Sequence, residues 1–107
     1  MAREKFQTLT EQMFYILLCL QEERWGSEIM THVQTLTDGR ITIGPGTLYN
    51  LLEQFVTANM IVQTKTEGRK RCYLITQTGL DALDNEYQRL TTLTQHYQHL
   101  RMGKDTP

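Results

Sequence analysis

The chain has 107 residues, of which 39% are hydrophobic and 21% are charged, and its formal net charge is −1. This length suits one globular domain with a modest core and excludes two. The composition also argues against intrinsic disorder. The longest apolar run, residues 13–20, is too short to cross a bilayer, and the first residues lack a signal-peptide pattern. We therefore expect a cytoplasmic protein without a membrane segment.

The positive charge of the chain is concentrated in one interval. Residues 40–75 carry five basic side chains against two acidic ones, whereas the remainder of the chain is net negative. A local basic patch of this kind is the electrostatic feature expected of a nucleic-acid contact.

The first part of the chain predicts two helices. Thr8 and Glu11 are typical of a capping box at the start of the first helix, and an apolar stripe continues to Leu20. Ser27 is the candidate cap of the second helix, whose apolar residues Ile29, Met30, Val33 and Leu36 recur at helical spacing. The pair Asp38-Gly39 ends this helix.

A third helix is predicted to begin around Pro45, because proline suits a first helical turn and residues 44–46 form a strong breaker. Its predicted buried face consists of Leu48, Leu51, Leu52 and Phe55. Asn59 can adopt the left-handed conformation that closes a helix.

A two-stranded hairpin follows the third helix. Residues 60–66 have the β-branched content of a strand, residues 67–70 form the turn, and residues 71–76 return as the partner strand. Basic side chains cluster at the predicted tip, and the hairpin needs the helices for stability.

Thr76 can cap a last, longer helix with a narrow apolar stripe. Because this stripe extends beyond the compact unit, we expect it to form a homodimer interface. Its members are Leu80, Leu83, Tyr87, Leu90, Leu93, Tyr97 and Leu100.

Three helices followed by a β-hairpin predict a winged helix-turn-helix, a mainly α fold. In this fold the third helix enters the major groove of DNA, and the hairpin tip meets the phosphate backbone or the minor groove. The predicted organisation is a DNA-binding domain over residues 1–78, a dimerisation helix over 79–102 and a frayed tail over 103–107. The candidate DNA contacts are Thr47, Tyr49, Asn50, Gln54, Lys65, Arg69, Lys70 and Arg71.

These candidate contacts have alternative interpretations. The Tyr49 hydroxyl would bond a phosphate, or the ring is a half-buried part of the third helix. The polar residues Thr47, Asn50 and Gln54 either read base edges or form a solvated face. The basic hairpin residues either contact DNA or protect an edge strand from aggregation.

The chain resembles the PadR family of bacterial transcriptional regulators in residues 46–49 (Gly-Thr-Leu-Tyr) and residues 68–79, which include a basic-Tyr-x-x-Thr-x-x-Gly segment. The resemblance spans most of residues 9–90. It implies a winged-helix homodimer that represses transcription until a small apolar or aromatic effector releases it. Because a two-fold dimer presents two equivalent third helices, we expect the operator to be an inverted repeat. A winged-helix protein-interaction module without sequence-specific DNA binding is the alternative.

An enzyme is not expected, because the sequence lacks a nucleophile elbow, a phosphate loop and a plausible carboxylate pair. No cofactor is implied. His96 and His99 are three residues apart and could meet one metal ion, but no nearby cysteine or carboxylate completes a ligand set. Cys19 and Cys72 are interpreted as buried free thiols.

Overall fold

The computed structural model describes residues 6–103, which form four helices and one antiparallel sheet. The helices are α1 (Glu11–Cys19), α2 (Gly26–Leu36), α3 (Pro45–Thr57) and α4 (Gln77–Arg101). The strands are β1 (Arg24–Trp25), β2 (Ile61–Glu67) and β3 (Lys70–Ile75), in the sheet order β1-β3-β2. This arrangement confirms the predicted winged helix-turn-helix. Residues 1–5 of the predicted first domain and residues 104–107 of the predicted tail lie outside the described residues.

One hydrophobic core holds the helices, the base of the hairpin and the start of α4 together. The predicted buried face of α3 is confirmed, because Leu48, Leu51, Leu52 and Phe55 are each at most 8% exposed. Leu83 of α4 also belongs to this core. Leu36, predicted on the apolar stripe of α2, is instead 55% exposed, because the core ends before the last turn of that helix. None of the helices in the described part of the chain is both long enough and apolar enough to span a bilayer.

The predicted Thr8 cap of α1 is wrong, because Thr10 is the N-cap. The Thr10 hydroxyl accepts from the Met13 amide at 3.2 Å. The residue between the two threonines explains the shift: the Leu9 amide donates to Glu86 Oε1 at 3.1 Å. The chain is therefore held by α4 until Thr10, and the helix starts immediately afterwards.

The predicted Ser27 cap of α2 is also wrong, because Trp25 occupies the N-cap position. The Trp25 amide donates to Glu28 Oε1 at 2.8 Å. Trp25 is at the same time the last residue of β1, where it pairs with Cys72. The helix thus starts directly at the end of a strand. Ser27 is already its second residue and cannot be the N-cap.

The hairpin has one irregularity. Gln63 pairs with Tyr73, but the next pair along the ladder is Lys65 with Cys72, so Thr64 is an extra residue that forms a β-bulge. Side chains directly opposite each other share one face of a sheet. The bulge therefore places Lys65 on the face of Cys72 and Trp25, and it leaves Gln63 on the opposite face with Tyr73.

The start of α4 is held close to the hairpin. As predicted, the Thr76 hydroxyl caps the helix by accepting from the Gly79 amide at 3.2 Å, and it donates to the Asn59 carbonyl at 2.6 Å. Asn59 has a φ of 64°, which confirms its predicted left-handed conformation. Gly79 has no room for a side chain, because a Cβ atom there would overlap the carbonyl oxygen of Met60.

Candidate nucleic-acid interface

The outward face of α3 is polar. Pro45 occupies the first turn behind the N-cap Gly44, and the apolar side of the helix faces the core. Three of the predicted contact residues on this helix, Thr47, Tyr49 and Asn50, are exposed. Gln54 is half-buried, and its side-chain amide donates to Asn50 Oδ1 at 3.4 Å. This face therefore offers hydrogen-bonding groups of the size that can reach base edges.

Tyr49 is 45% exposed, and one side of its ring packs against α2. A Cβ atom at Gly26 would come within 2.9 Å of Tyr49 Cε1 and within 3.2 Å of the hydroxyl oxygen. The absence of a side chain at Gly26 therefore leaves room for the tyrosine ring between α2 and α3.

The tip of the wing, the β2–β3 hairpin, carries two exposed basic residues. The turn contains Gly68 in the left-handed region, with a φ of 62°, between the paired residues Glu67 and Lys70. Arg69 and Lys70 are exposed, and within residues 6–103 neither forms an ion pair. Their charges are available to an anionic partner.

Lys65 differs from the residues of the tip. Its Nζ lies 5.9 Å from the ring centroid of Trp25 and 3.9 Å from Glu23 Oε1. This position follows from the bulge at Thr64, which turns Lys65 toward β1. Its charge is therefore partly engaged within the protein before any partner binds.

Arg71 is exposed and lies on the opposite face from Lys65. It is two residues from Tyr73 along β3, so both side chains share one face of the sheet. Burial raises the pKa of the Tyr73 hydroxyl, and the neighbouring Arg71 guanidinium lowers it in part. Tyr73 pairs with Arg24 of β1, and Tyr49 of α3 packs against Gly26, two residues after Arg24, so the base of the wing lies beside α3. The base of the wing and the predicted reading helix therefore form one surface.

Sequence reasoning did not select Glu53, which is exposed on α3 three residues after Asn50. Basic and amide side chains are the usual signals of DNA contact, and an acidic residue on this helix does not match them. Its spacing from Asn50 was the available signal, because residues three apart are neighbours on a helix surface.

The predicted dimer stripe of α4 divides into two parts. Leu83 is buried in the hydrophobic core and Leu80 is half-buried. The remaining residues form the exposed α4 row, in which side chains are between 39% and 75% exposed. This row consists of Tyr87, Leu90, Leu93, Tyr97 and Leu100.

The junction of α1 and α4 contains a buried carboxylate that the sequence analysis did not identify. Glu86 is 2% exposed, and besides the Leu9 amide it accepts hydrogen bonds from the Arg89 guanidinium. The Arg89 hydrogen bond lowers the pKa of Glu86, although burial opposes the shift. Next to this pair lies a groove of about 330 Å³, whose lining includes Phe14, Tyr15 and Leu90.

Cys19 and Cys72 are free and buried, as predicted. Burial raises the pKa of both thiols, so neither is activated as a nucleophile at neutral pH. Residues 6–103 contain no group of three or more histidine, cysteine, aspartate or glutamate side chains placed to hold a metal ion.

Comparison with known proteins identifies one matching family model. The model of the transcriptional regulator PadR-like family matches residues 16–85. This match covers α2, α3, the whole wing and the first part of α4. No curated protein sequence matches significantly.

Solved structures show the same fold. A transcriptional regulator from Clostridium thermocellum is 20% identical, with a TM-score of 0.71, over 89% of this chain and 99% of that one. A PadR-like transcriptional regulator from Bacillus cereus is 25% identical, with a TM-score of 0.67, over 85% and 91%. RosR from H. salinarum is 24% identical, with a TM-score of 0.67, over 78% and 76%.

Proposed function

Because the chain belongs to the PadR-like family of transcriptional regulators, we propose that it binds double-stranded DNA through α3 and the wing. The observation that supports this proposal best is the surface shared by the two elements. Tyr49 of α3 packs against Gly26 beside strand β1, which pairs with β3 at the base of the wing, and the basic tip residues Arg69 and Lys70 form no ion pair in the described part of the chain. Cationic side chains without protein partners suit the phosphate backbone.

Two kinds of contact are proposed within this surface. Asn50 and Gln54 would read base edges in the major groove, since an amide side chain can pair bidentately with adenine. Thr47 would contact a neighbouring base, and Tyr49 would bond a phosphate through its hydroxyl. The wing residues Arg69, Lys70 and Arg71 would hold the backbone, with a smaller contribution from Lys65 because Glu23 already pairs with it.

We propose that the protein acts as a homodimer through the exposed α4 row. Side chains such as Leu93 and Leu100 are 51% and 75% exposed within one protomer, and covering them with the same row of a second copy would remove this apolar area from water. A two-fold dimer presents two equivalent α3 helices, so the operator would be an inverted repeat. Binding there would repress transcription.

The proposed effector is a small apolar or aromatic molecule that binds between α1 and α4. The groove beside Glu86 supports this location, because its lining includes Phe14, Tyr15 and Leu90 and Leu90 belongs to the exposed α4 row. A molecule bound there would shift α4 relative to α3. It would weaken DNA binding if it prefers the altered arrangement.

The test is a titration of the full-length protein with duplex DNA from the promoter of its own gene and with a scrambled duplex, at several salt concentrations. We expect tighter binding to the promoter and a salt dependence that corresponds to several phosphate contacts. Salt-insensitive or absent binding would instead support the protein-interaction module. An effector screen scored by DNA affinity completes the test, and compounds that bind without altering this affinity would contradict release by a small molecule.

A further inference from the structure

Glu53 lies at the centre of the outward face of α3. It follows Asn50 by three residues and Tyr49 by four, so these side chains are neighbours on the helix surface. The buried residues Leu48, Leu51, Leu52 and Phe55 occupy the opposite side of the helix. A face of α3 that enters the major groove therefore carries the Glu53 carboxylate into the groove with it.

The Glu53 carboxylate is not neutralised by a neighbour. The ion pairs among residues 6–103 do not include Glu53, and its side chain is exposed. Asn50 and Gln54 form a hydrogen bond with each other. Glu53 would therefore meet DNA without an ion-pair partner from residues 6–103 of its own chain.

A carboxylate in the major groove has restricted options. An ionised glutamate accepts hydrogen bonds and donates none, so it repels phosphate oxygens and the acceptor groups of guanine and thymine. The exocyclic amino group of cytosine is a donor that suits it, and adenine supplies a donor only beside an acceptor. An acidic residue here costs affinity on most sequences and is tolerated where a cytosine amino group faces it.

We propose that Glu53 is a specificity-determining residue, which selects a cytosine at one position of each operator half-site and disfavours random DNA. This inference rests on the proposed DNA-binding function. The carboxylate acts mainly by exclusion: sequences that place guanine or thymine opposite it are rejected, while the amide residues beside it supply attractive contacts. A discriminating interface commonly combines such repulsive and attractive elements.

The experiment is selection of binding sequences from a randomised duplex library by the full-length wild-type protein and by Glu53→Ala, Glu53→Gln and Asp81→Ala. Wild type should enrich cytosine at one position of each half-site by about tenfold. Glu53→Ala should lose that preference alone and should bind scrambled duplex several-fold more tightly. Glu53→Gln should shift the preference to adenine, which glutamine can pair bidentately. Asp81→Ala removes one negative charge from the exposed side of α4 and should select the wild-type sequence.

The outcomes separate the two proposals. Selection of the same sequence at every position by wild type and Glu53→Ala would overturn the role of Glu53 and leave DNA binding intact. A wild-type protein that enriches no sequence would overturn DNA recognition itself, and the role of Glu53 with it. Circular dichroism and thermal melting of each variant establish that the exposed substitutions leave the fold unchanged.

Discussion

Gly26 and Tyr49 are in contact across the interface between α2 and α3, where a Cβ atom at position 26 would come within 2.9 Å of the tyrosine ring. Gly26 is the first residue of α2, and Tyr49 is in the first half of α3. The contact joins the two helices of the helix-turn-helix. A residue without a proposed DNA contact thus controls the position of one with such a role.

Gly26→Ala should displace the tyrosine ring at little cost to stability. The clashing atoms are at the end of a side chain that is 45% exposed, so the ring can rotate away, and alanine favours a helix by up to about 1 kcal/mol. We expect an unfolding free energy within about 1 kcal/mol of wild type but weaker DNA binding. Tyr49→Ala should weaken binding to the same extent, and the double variant should lose nothing more. Additive losses would mean that Gly26 acts independently of Tyr49.

Gly79→Ala should be severely destabilising, because the new methyl group meets the Met60 carbonyl oxygen and the Ile75 side chain. A backbone atom cannot move aside without breaking the hydrogen bond from the Thr76 amide to that carbonyl. We expect a loss of more than about 3 kcal/mol in urea unfolding. Gly46→Ala is the matched control, since no other atom lies within 4 Å of a Cβ there. It should leave stability unchanged or raise it slightly.

Glu86 should make stability depend on pH. The Arg89 hydrogen bond holds the folded-state pKa of Glu86 below its ordinary value of 4.5, so its contribution is complete above about pH 4.5 and is lost as the pH falls through the lower folded-state pKa. Glu86→Gln should cost about 1–3 kcal/mol at pH 7 because Arg89 loses its acceptor carboxylate. The difference from wild type should shrink in acid. Urea unfolding across this range is the measurement, and a constant difference would exclude the titration of Glu86 as its source.

The wing and α3 should contribute differently to DNA binding: the wing through contacts with phosphates, and α3 through contacts with bases. Arg69→Ala and Lys70→Ala should weaken specific and random duplexes alike and lower the salt slope by about one each. Asn50→Ala and Gln54→Ala should cost roughly 1–3 kcal/mol on the operator and little on random DNA. Titration of both duplexes at several salt concentrations distinguishes the two patterns. Unchanged affinity and slope in the wing variants would remove the hairpin from the interface.

Leu93→Asp should dissociate the proposed dimer. Leu93 is 51% exposed within one protomer, and an unpaired carboxylate buried against a second copy would cost more than about 2 kcal/mol. Light scattering at micromolar concentration should give a monomer mass with unchanged helix content. Gln95→Asp, on the opposite side of α4, should remain dimeric. Truncation at Thr78 is a poorer test, because it would also remove Leu83 from the core of the protomer.

Local patterns in the sequence predicted the parts of the fold that depend on neighbours along the chain. The buried face of α3, the left-handed Asn59 and the Thr76 cap each follow from a few adjacent residues. The caps at Thr10 and Trp25 could not be predicted this way, because α4 and β3 hold the preceding segments. A two-residue strand such as β1 has no periodicity to detect.

Residue type and spacing indicated which candidate contacts are exposed, but not the direction in which each side chain points. Residue type and spacing selected Tyr49, Arg69 and Lys70 as exposed residues of α3 and the wing tip. The opposite directions of Lys65 and Arg71 depend on the pairing register, which the sequence does not reveal. Burial of the Glu86 carboxylate also depends on a distant part of the chain, because the Leu9 amide that donates to it is 77 positions away.

The extra residue at Thr64 determines how the wing of this chain can be aligned with that of a relative. Between Ile61 and the bulge, side chains of β2 alternate between the two faces of the sheet in one register. Between the bulge and the turn at Gly68, they alternate in a register that is shifted by one residue. In a related wing that is one residue shorter and lacks the bulge, the residue four positions after the equivalent of Ile61 would lie on the opposite face from Lys65. The role of a β2 residue should therefore be assigned to the residue of a relative that has the same pairing partner on β3. An alignment gap placed by sequence similarity alone could match residues that lie on opposite faces of the sheet.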